Sequence, residues 1–231
     1  MIYFVTGTDT DSGKTLVSSA LLSLAKGSKF GLKPIASGCE VTSEGLRNAD
    51  ALALMEQANV ELDYHTVNPI AFEPAIAPHI AAANQGVALT EQRVVELINQ
   101  APIKDVDFAL IEGAGGWLLP LGGDQLMSRA IKQLNQGLSR DGEILGVILV
   151  VGMKLGCLNH ALLTQQAIEA DGLEIAGWFA NQVDGEMSEI EANLASLKTL
   201  MTSPFLGYIP HLDNANAEQA SQFIDIEKLT T

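Results

Sequence analysis

Positive charge is scarce in this chain. Thirteen lysines and arginines stand against 28 aspartates and glutamates, a formal net charge of −15 at pH 7. Such acidity argues against nucleic acid and against a membrane surface as partner. No run of about twenty apolar residues is present to cross a bilayer. Cysteine is nearly absent. Cys39 and Cys157 lie far apart and form no Cys-x-x-Cys or Cys/His spacing, and the four histidines, at 65, 79, 160 and 211, show no metal-ligand spacing. A disulfide framework and a zinc site are therefore not expected. The chain shows no basic leader with a cleavage site, so a reduced, cytoplasmic protein is the expectation. No repeat, low-complexity tract or Pro-rich linker divides the 231 residues, which are read as one domain over 1–231.

What is present is apolar residue in short runs. Hydrophobic residues make up 47% of the chain, ample for a core. Candidate buried strands recur at 2–5, 30–35, 108–111, 144–151, 175–180 and 205–209, with helical patterns near 14–26, 90–100, 157–170 and 187–201. Near-continuously apolar strands alternating with helices predict an α/β fold, a mostly parallel sheet flanked by helices. Residues 36–88 and 118–142 read as irregular excursions. The second has Gly122-Gly123 and a helix near 125–137. Lys26-Gly27-Ser28-Lys29 is read as the end of the first helix.

The stretch Gly7-Thr8-Asp9-Thr10-Asp11-Ser12-Gly13-Lys14-Thr15 lies between the first strand and the first helix. Strand, Gly-rich loop and helix are the context of a phosphate-binding loop. Unpaired first-turn N–H groups and the positive end of the helix dipole attract anions. Gly13 lets backbone approach phosphate, Lys14 brings a mobile charge, and the Thr15 hydroxyl suits Mg²⁺. Five residues separate Gly7 from Gly13, one more than the usual pattern. A nucleoside triphosphate is a poor match to the global charge, so local donors and a divalent cation have to override it.

In an open α/β sheet, ligands collect at the C-terminal ends of the strands. The second strand delivers Lys33 and Ser37 there, Lys33 being either a solvated lysine or a ligand contact. The third delivers Glu112-Gly113-Ala114-Gly115-Gly116, a carboxylate suited to Mg²⁺ followed by residues that permit close backbone approach. Asp50 reads equally as a first-turn acid favoured by a helix dipole. The fourth strand runs through Lys154-Leu155-Gly156-Cys157-Leu158-Asn159-His160 into another helix start, a second anion nest. Asn181, ending the fifth strand, and Pro210-His211-Leu212, ending the last, offer an amide and loop backbone to a purine base.

These segments occur in order with Gly45-Leu46-Arg47-Asn48-Ala49-Asp50-Ala51, Val67-Asn68-Pro69, Ala77-Pro78-His79-Ile80 and Trp117. Together they closely resemble the dethiobiotin synthetases, a family in the P-loop NTPase superfamily whose widened Gly-Thr-Asp-Thr loop is characteristic. The resemblance implies an ATP- and Mg²⁺-dependent ligase of biotin biosynthesis. In that family 7,8-diaminopelargonate takes up CO₂ as a carbamate, ATP phosphorylates the carbamate, and the second amine closes a cyclic urea, giving dethiobiotin, ADP and phosphate. It implies Lys33 and Lys14 as the catalytic cations, and Thr15, Asp50 and Glu112 as Mg²⁺ ligands. ATP would meet Asp11, Ser12, Gly13, Lys14, Thr15, Leu16, Asp50, Glu112, Gly113, Ala114, Gly115, Asn181, Gln182, Pro210, His211 and Leu212. Substrate would meet Thr10 and Ser37, and also Gly156, Cys157, Leu158 and Asn159 reaching across a homodimer with a shared active site. Asp11 stands where the family commonly has Glu, and Glu218 is the nearest candidate for an acidic ribose contact. Two other readings share the fold. A corrinoid amide synthetase carries an added glutaminase domain, for which this chain has no room. A partitioning-type ATPase carries an extra lysine early in the loop, where this chain has Thr8, Asp9 and Thr10.

Overall fold

The computed structural model describes residues 1–183 and 185–229; residues 184, 230 and 231 of the 1–231 range lie outside that description. In chain order the elements are β1 (Ile2–Gly7), α1 (Lys14–Leu24), β2 (Lys29–Leu32), β3 (Ile35–Ser37), β4 (Glu40–Thr42), β5 (Gly45–Arg47), α2 (Ala49–Gln57), α3 (Tyr64–Val67) and β6 (Ile70–Phe72). There follow α4 (Pro78–Asn84), α5 (Glu91–Ile98), β7 (Phe108–Gly116), β8 (Pro120–Gly122), β9 (Gln125–Leu126), α6 (Met127–Arg140) and β10 (Leu145–Gly152). Next come α7 (Cys157–Ala170), β11 (Ile175–Asn181), α8 (Ile190–Leu200), β12 (Phe205–Ile209) and α9 (Ala217–Ser221), and then a 3₁₀ turn over Ile226–Lys228.

Six strands form one sheet in the order β12-β11-β10-β1-β7-β2, and every neighbouring pair is parallel. All of β1 and β11 is buried, as strands covered on both faces must be. Alternation divides β1 between two cores: Ile2 and Phe4 face one, Tyr3 and Val5 the other. Helix α1 closes the second core with Val17, Ala20 and Leu21, joined by Ala220 of α9. The first core takes Val94 and Ile98 of α5, Ile131, Leu134 and Leu138 of α6, and Ala161 and Ile168 of α7. Each large apolar side chain fully buried in this way contributes about 1.5–3 kcal/mol.

Three expectations change. The run 30–35 is not one strand. The β2–β7 ladder ends at Leu32, Pro34 has no N–H to extend it, and Ile35–Ser37 pairs instead with Ile70–Phe72. Helix α1 stops at Leu24 with an extended Ala25, before Gly27. Its terminal carbonyls are met by the Lys29 ammonium, at 3.2 Å from Ser23 O and 2.9 Å from Ala25 O. Residues 118–142 contain the helix expected near 125–137, but they are not an irregular insertion. They form the β8–β9 hairpin and then α6, whose buried Met127, Ala130, Ile131, Leu134 and Leu138 recur at helical spacing and cover the sheet.

Candidate active site

Strand order reverses around β1, whose neighbours β7 and β10 come from the middle of the chain. The crevice at the ends of these strands is where such sheets bind ligands. Gly13 ends the loop there with φ +90°, and a Cβ at that position would collide with the Asn181 amide. Asn181 is buried at the end of β11, and its Nδ2 donates to Ser12 O at 3.0 Å, clamping the loop. No side chain caps α1, and its first turn holds no acid, so its N–H groups stay available to an anion. By contrast α2, α5 and α9 are capped by Asn48, Thr90 and Asn216.

A cleft of about 890 Å³ opens over the loop. It is lined by Thr10, Asp11, Gly13, Lys14 and Thr15 from the loop, Lys33 and Ser37 beyond β2, Asp50 of α2, and Ala114 and Gly115 of β7. Asn48 and the wall Ala75–Pro78 also line it, and no role had been read for them. Their signal was present in the Asn48-Ala49-Asp50 and Ala77-Pro78-His79 segments.

The cleft floor is a charge cluster. Lys33 is 4% exposed, and its Nζ lies 2.6 Å from Glu112 Oε1 and 2.8 Å from Asp50 Oδ2. It also donates to Gly113 O at 3.3 Å. Burial by itself would strip its proton, but the two carboxylates outweigh burial and raise its pKa. Burial would likewise raise the Asp50 carboxyl; the charge and hydrogen bond of Lys33 overcome that and hold it below the usual range. The Thr15 hydroxyl donates to Glu112 Oε1 at 2.9 Å, while Glu112 Oε2 is buried without a hydrogen-bond partner among the described residues. Lys14 forms no ion pair among the described residues, and the charges of Glu112, Asp50 and Asp11 offset its burial only in part. Its Nζ donates to Asp9 O at 3.0 Å, and burial, with the Lys33 charge adding to it, lowers its pKa to about 8.

Asp9 ties the loop to the second nest. Its carboxylate meets Lys154 Nζ at 2.6 Å and accepts from Thr10 N at 2.8 Å. This pair had gone unread, because Asp9 and Lys154 are 145 positions apart. Gly156 starts α7 with φ +96° and no side-chain cap, the same construction as Gly13. Cys157 turns its side chain into the core and spends its N–H on Lys154 O at 3.0 Å, whereas Asn159 is exposed. Leu155 beside them is 98% exposed, and Leu118 and Leu163 are exposed too. Gln182 and the segment Pro210–Leu212 come together at the edge of the sheet, where Gln182 Oε1 accepts from Tyr208 OH at 2.6 Å and from His211 N at 3.4 Å. Leu16 and Glu218 line a separate groove of about 900 Å³ between α1, α2 and α9, with Thr15 shared between the two.

Among the described residues no group of three or more His, Cys, Asp and Glu side chains could hold a metal by itself. The Asp50 and Glu112 carboxylates, the Thr15 hydroxyl on Glu112 Oε1 and the Glu112 Oε2 without a partner among the described residues suit Mg²⁺ instead, which binds proteins through one or two carboxylates and takes its other ligands from water and phosphate.

The family described as an AAA domain matches residues 2–219. Among solved structures, the signal recognition particle receptor FtsY from Elizabethkingia anophelis with GDP aligns over 99% of this chain with a TM-score of 0.53 at 16% identity, the chain spanning 61% of FtsY. MinD in the MinC:MinD cell division complex of Aquifex aeolicus also gives 0.53, at 14% identity over 97% of this chain and 87% of that one. At such identities the likeness is of fold. Sheet, loop and cluster define an enzyme of the P-loop nucleoside triphosphate class. The ATP-dependent dethiobiotin synthetases of Cellvibrio japonicus and Pseudomonas aeruginosa are each 46% identical over 230 residues, covering 98% of this chain and 96% and 97% of theirs. That of Pseudoalteromonas translucida is 48% identical over 212 residues. The chain belongs to the ATP-dependent dethiobiotin synthetases, ligases of biotin biosynthesis.

Proposed function

We propose that the chain carboxylates 7,8-diaminopelargonate with CO₂ and closes the cyclic urea at the expense of ATP, using the cleft over the phosphate loop. The observation that carries this reading is the Lys33 ammonium, buried between Asp50 and Glu112 beside Thr15. A cation fixed there costs no reorganisation when charge develops on a carbamate and a transferring phosphoryl group. Little covalent work is left to the protein once carbamate and γ-phosphate are held in line. Lys14 leaves the Asp9 carbonyl to meet the terminal phosphates. Thr10 and Ser37 face the substrate, and the buried Ser37 hydroxyl, without a hydrogen-bond partner among the described residues, is a ready hydrogen-bonding group at the wall. Thr15, Asp50 and Glu112 would hold Mg²⁺, which would supply positive charge to offset that of the phosphates. Asn181 with Gln182 and Pro210–Leu212 receive the base.

The assembly in this reading is a homodimer with shared sites. The uncapped start of α7 at Gly156, with Leu158 and Asn159, binds the substrate carboxylate of the neighbouring subunit, and the exposed Leu118, Leu155 and Leu163 supply apolar contact between subunits. The protein acts in the cytoplasm, consistent with two buried free cysteines and with no described helix long and apolar enough to cross a membrane. The test is substrate dependence: ADP release should require both diaminopelargonate and bicarbonate. ATP turnover indifferent to both would overturn the reading.

A further inference from the structure

Lys33 stands one residue beyond the end of β2, where the ladder to β7 has stopped. Its side chain is held by carboxylates, but its main chain needs another anchor. Segment 64–68 supplies it. Lys33 N donates to Val67 O at 2.8 Å, and Asn68 Nδ2 donates to Lys33 O at 2.6 Å. Asn68 is 2% exposed. Its amide oxygen accepts from the Tyr64 hydroxyl at 3.0 Å, and the same hydroxyl accepts from Asn48 N at 2.6 Å. Asn48 is the cap of α2, and the first turn of α2 carries Asp50. The bonds close a circuit: Lys33 ammonium, Asp50, start of α2, Asn48 N–H, Tyr64 hydroxyl, Asn68 amide, Lys33 carbonyl.

The weak link elsewhere in that circuit is the cap itself, since Asn48 Oδ1 accepts from Ala51 N at 3.3 Å. The bond from Asn48 N to Tyr64, at 2.6 Å, is the shortest of the ties at the start of α2, against 3.1 Å for Leu52 N to Asn48 O. Burial raises the Tyr64 phenol, so it stays protonated and keeps its proton for Asn68. The ring lies outside the cleft, under the Arg47 guanidinium, 4.2 Å from its centroid. We propose that Tyr64 is a positioning residue for phosphoryl transfer, its hydroxyl setting the spacing of Lys33 and Asp50 without touching a ligand. Misplacing a reacting geometry by about 1 Å can cost on the order of a hundredfold in rate, so a hydroxyl remote from the cleft can register in kcat. This rests on the reading of Lys33 and Asp50 as phosphoryl-transfer groups.

The experiment is a double-mutant cycle between Tyr64→Phe and Asp50→Asn, read by single turnover at enzyme excess so that slow variants stay measurable. Tyr64→Phe alone should lower the rate about tenfold with KM for ATP nearly unchanged, and in the Asp50→Asn background it should cost less than about twofold, because the group it positions has gone. Equal losses in both backgrounds, or no loss in the first, overturn the proposal. Arg47→Met strips the outer face of the same ring and leaves the hydroxyl. It should lower the melting temperature and leave the rate intact; a matching rate loss would make the effect general loosening and also overturn the proposal. Wild-type rates in Asp50→Asn alone would sink the underlying reading of the site, a result visible apart from any Tyr64 variant.

Discussion

Raising the pH should weaken nucleotide binding through Lys14. In the resting enzyme this side chain is 6% exposed, its pKa is lowered to about 8, and the causes are burial first and the neighbouring Lys33 charge second. A polyphosphate favours the ammonium form, so the bound state takes up whatever proton the free enzyme lacks. Below pH 8 the proton is already present and affinity is flat. Above it the dissociation constant grows with the neutral fraction, by about twofold at pH 8 and about tenfold at pH 9 relative to pH 7. The nucleotide does not confuse the window, because phosphate finishes its last ionisation nearer pH ~6. Calorimetric titration with ADP in buffers of different ionisation enthalpy reads the proton directly: about 0.1 taken up at pH 7 and about 0.9 at pH 9. Equal affinity at pH 7 and 9 with no proton uptake would refute the argument. The same shift acts on stability with the opposite sign. The folded pKa lies below the unfolded value of 10.5, so the unfolded chain holds more proton between about 8 and 10.5. The cost of the buried charge, on the order of 3 kcal/mol, is therefore fully present below pH 8 and relieved as pH rises through that window.

Lys33→Met should cut kcat by on the order of a hundredfold. It also leaves Glu112 and Asp50 facing each other uncompensated, which should lower unfolding stability by about 3–5 kcal/mol in a urea titration; an unchanged midpoint would contradict the buried cluster. Gly13→Ala should weaken ADP binding by more than about tenfold, because it strains a left-handed backbone position and drives a methyl group into the Asn181 clamp; a wild-type dissociation constant would show the loop less constrained than its geometry. Asn159→Ala should raise KM for diaminopelargonate, and mixing it with Lys33→Ala should recover activity by forming dimers with one intact site. No recovery after verified subunit exchange would count against the shared site.

The phosphate loop was legible because its signal is local. An apolar strand, glycines at fixed places and a helical apolar pattern lie within about twenty residues and need no partner to be read. Parallel strands were legible for a related reason, since burial on both faces removes the alternation that a one-sided sheet shows. The break at Pro34 was less so: an apolar run does not record which edge its neighbour pairs, and the missing N–H matters only once β7 lies alongside. Within residues 118–142 the helix near 125–137 was legible as α6, while the β8–β9 pairing was not, nor was the covering role of α6, which depends on a sheet whose strands are distant in sequence.

Asp50 marks the boundary. The sequence alone determined that it sits in the first turn of a helix, where an acid is favoured. It determined likewise that Lys33 and Glu112 follow apolar runs, and that Gly13 and Gly156 open helices; that β7 continues through Glu112 to Gly116 was not legible. Only the tertiary structure decided that Lys33, Asp50 and Glu112 meet within one hydrogen-bonded cluster, that Asp9 reaches Lys154, and that the Tyr64 hydroxyl stands behind them. Helix and strand propensities act over a few residues. The strength of a charge pair depends on distance through space and on exclusion of water, and both are set when β7 and β10 come to lie on either side of β1.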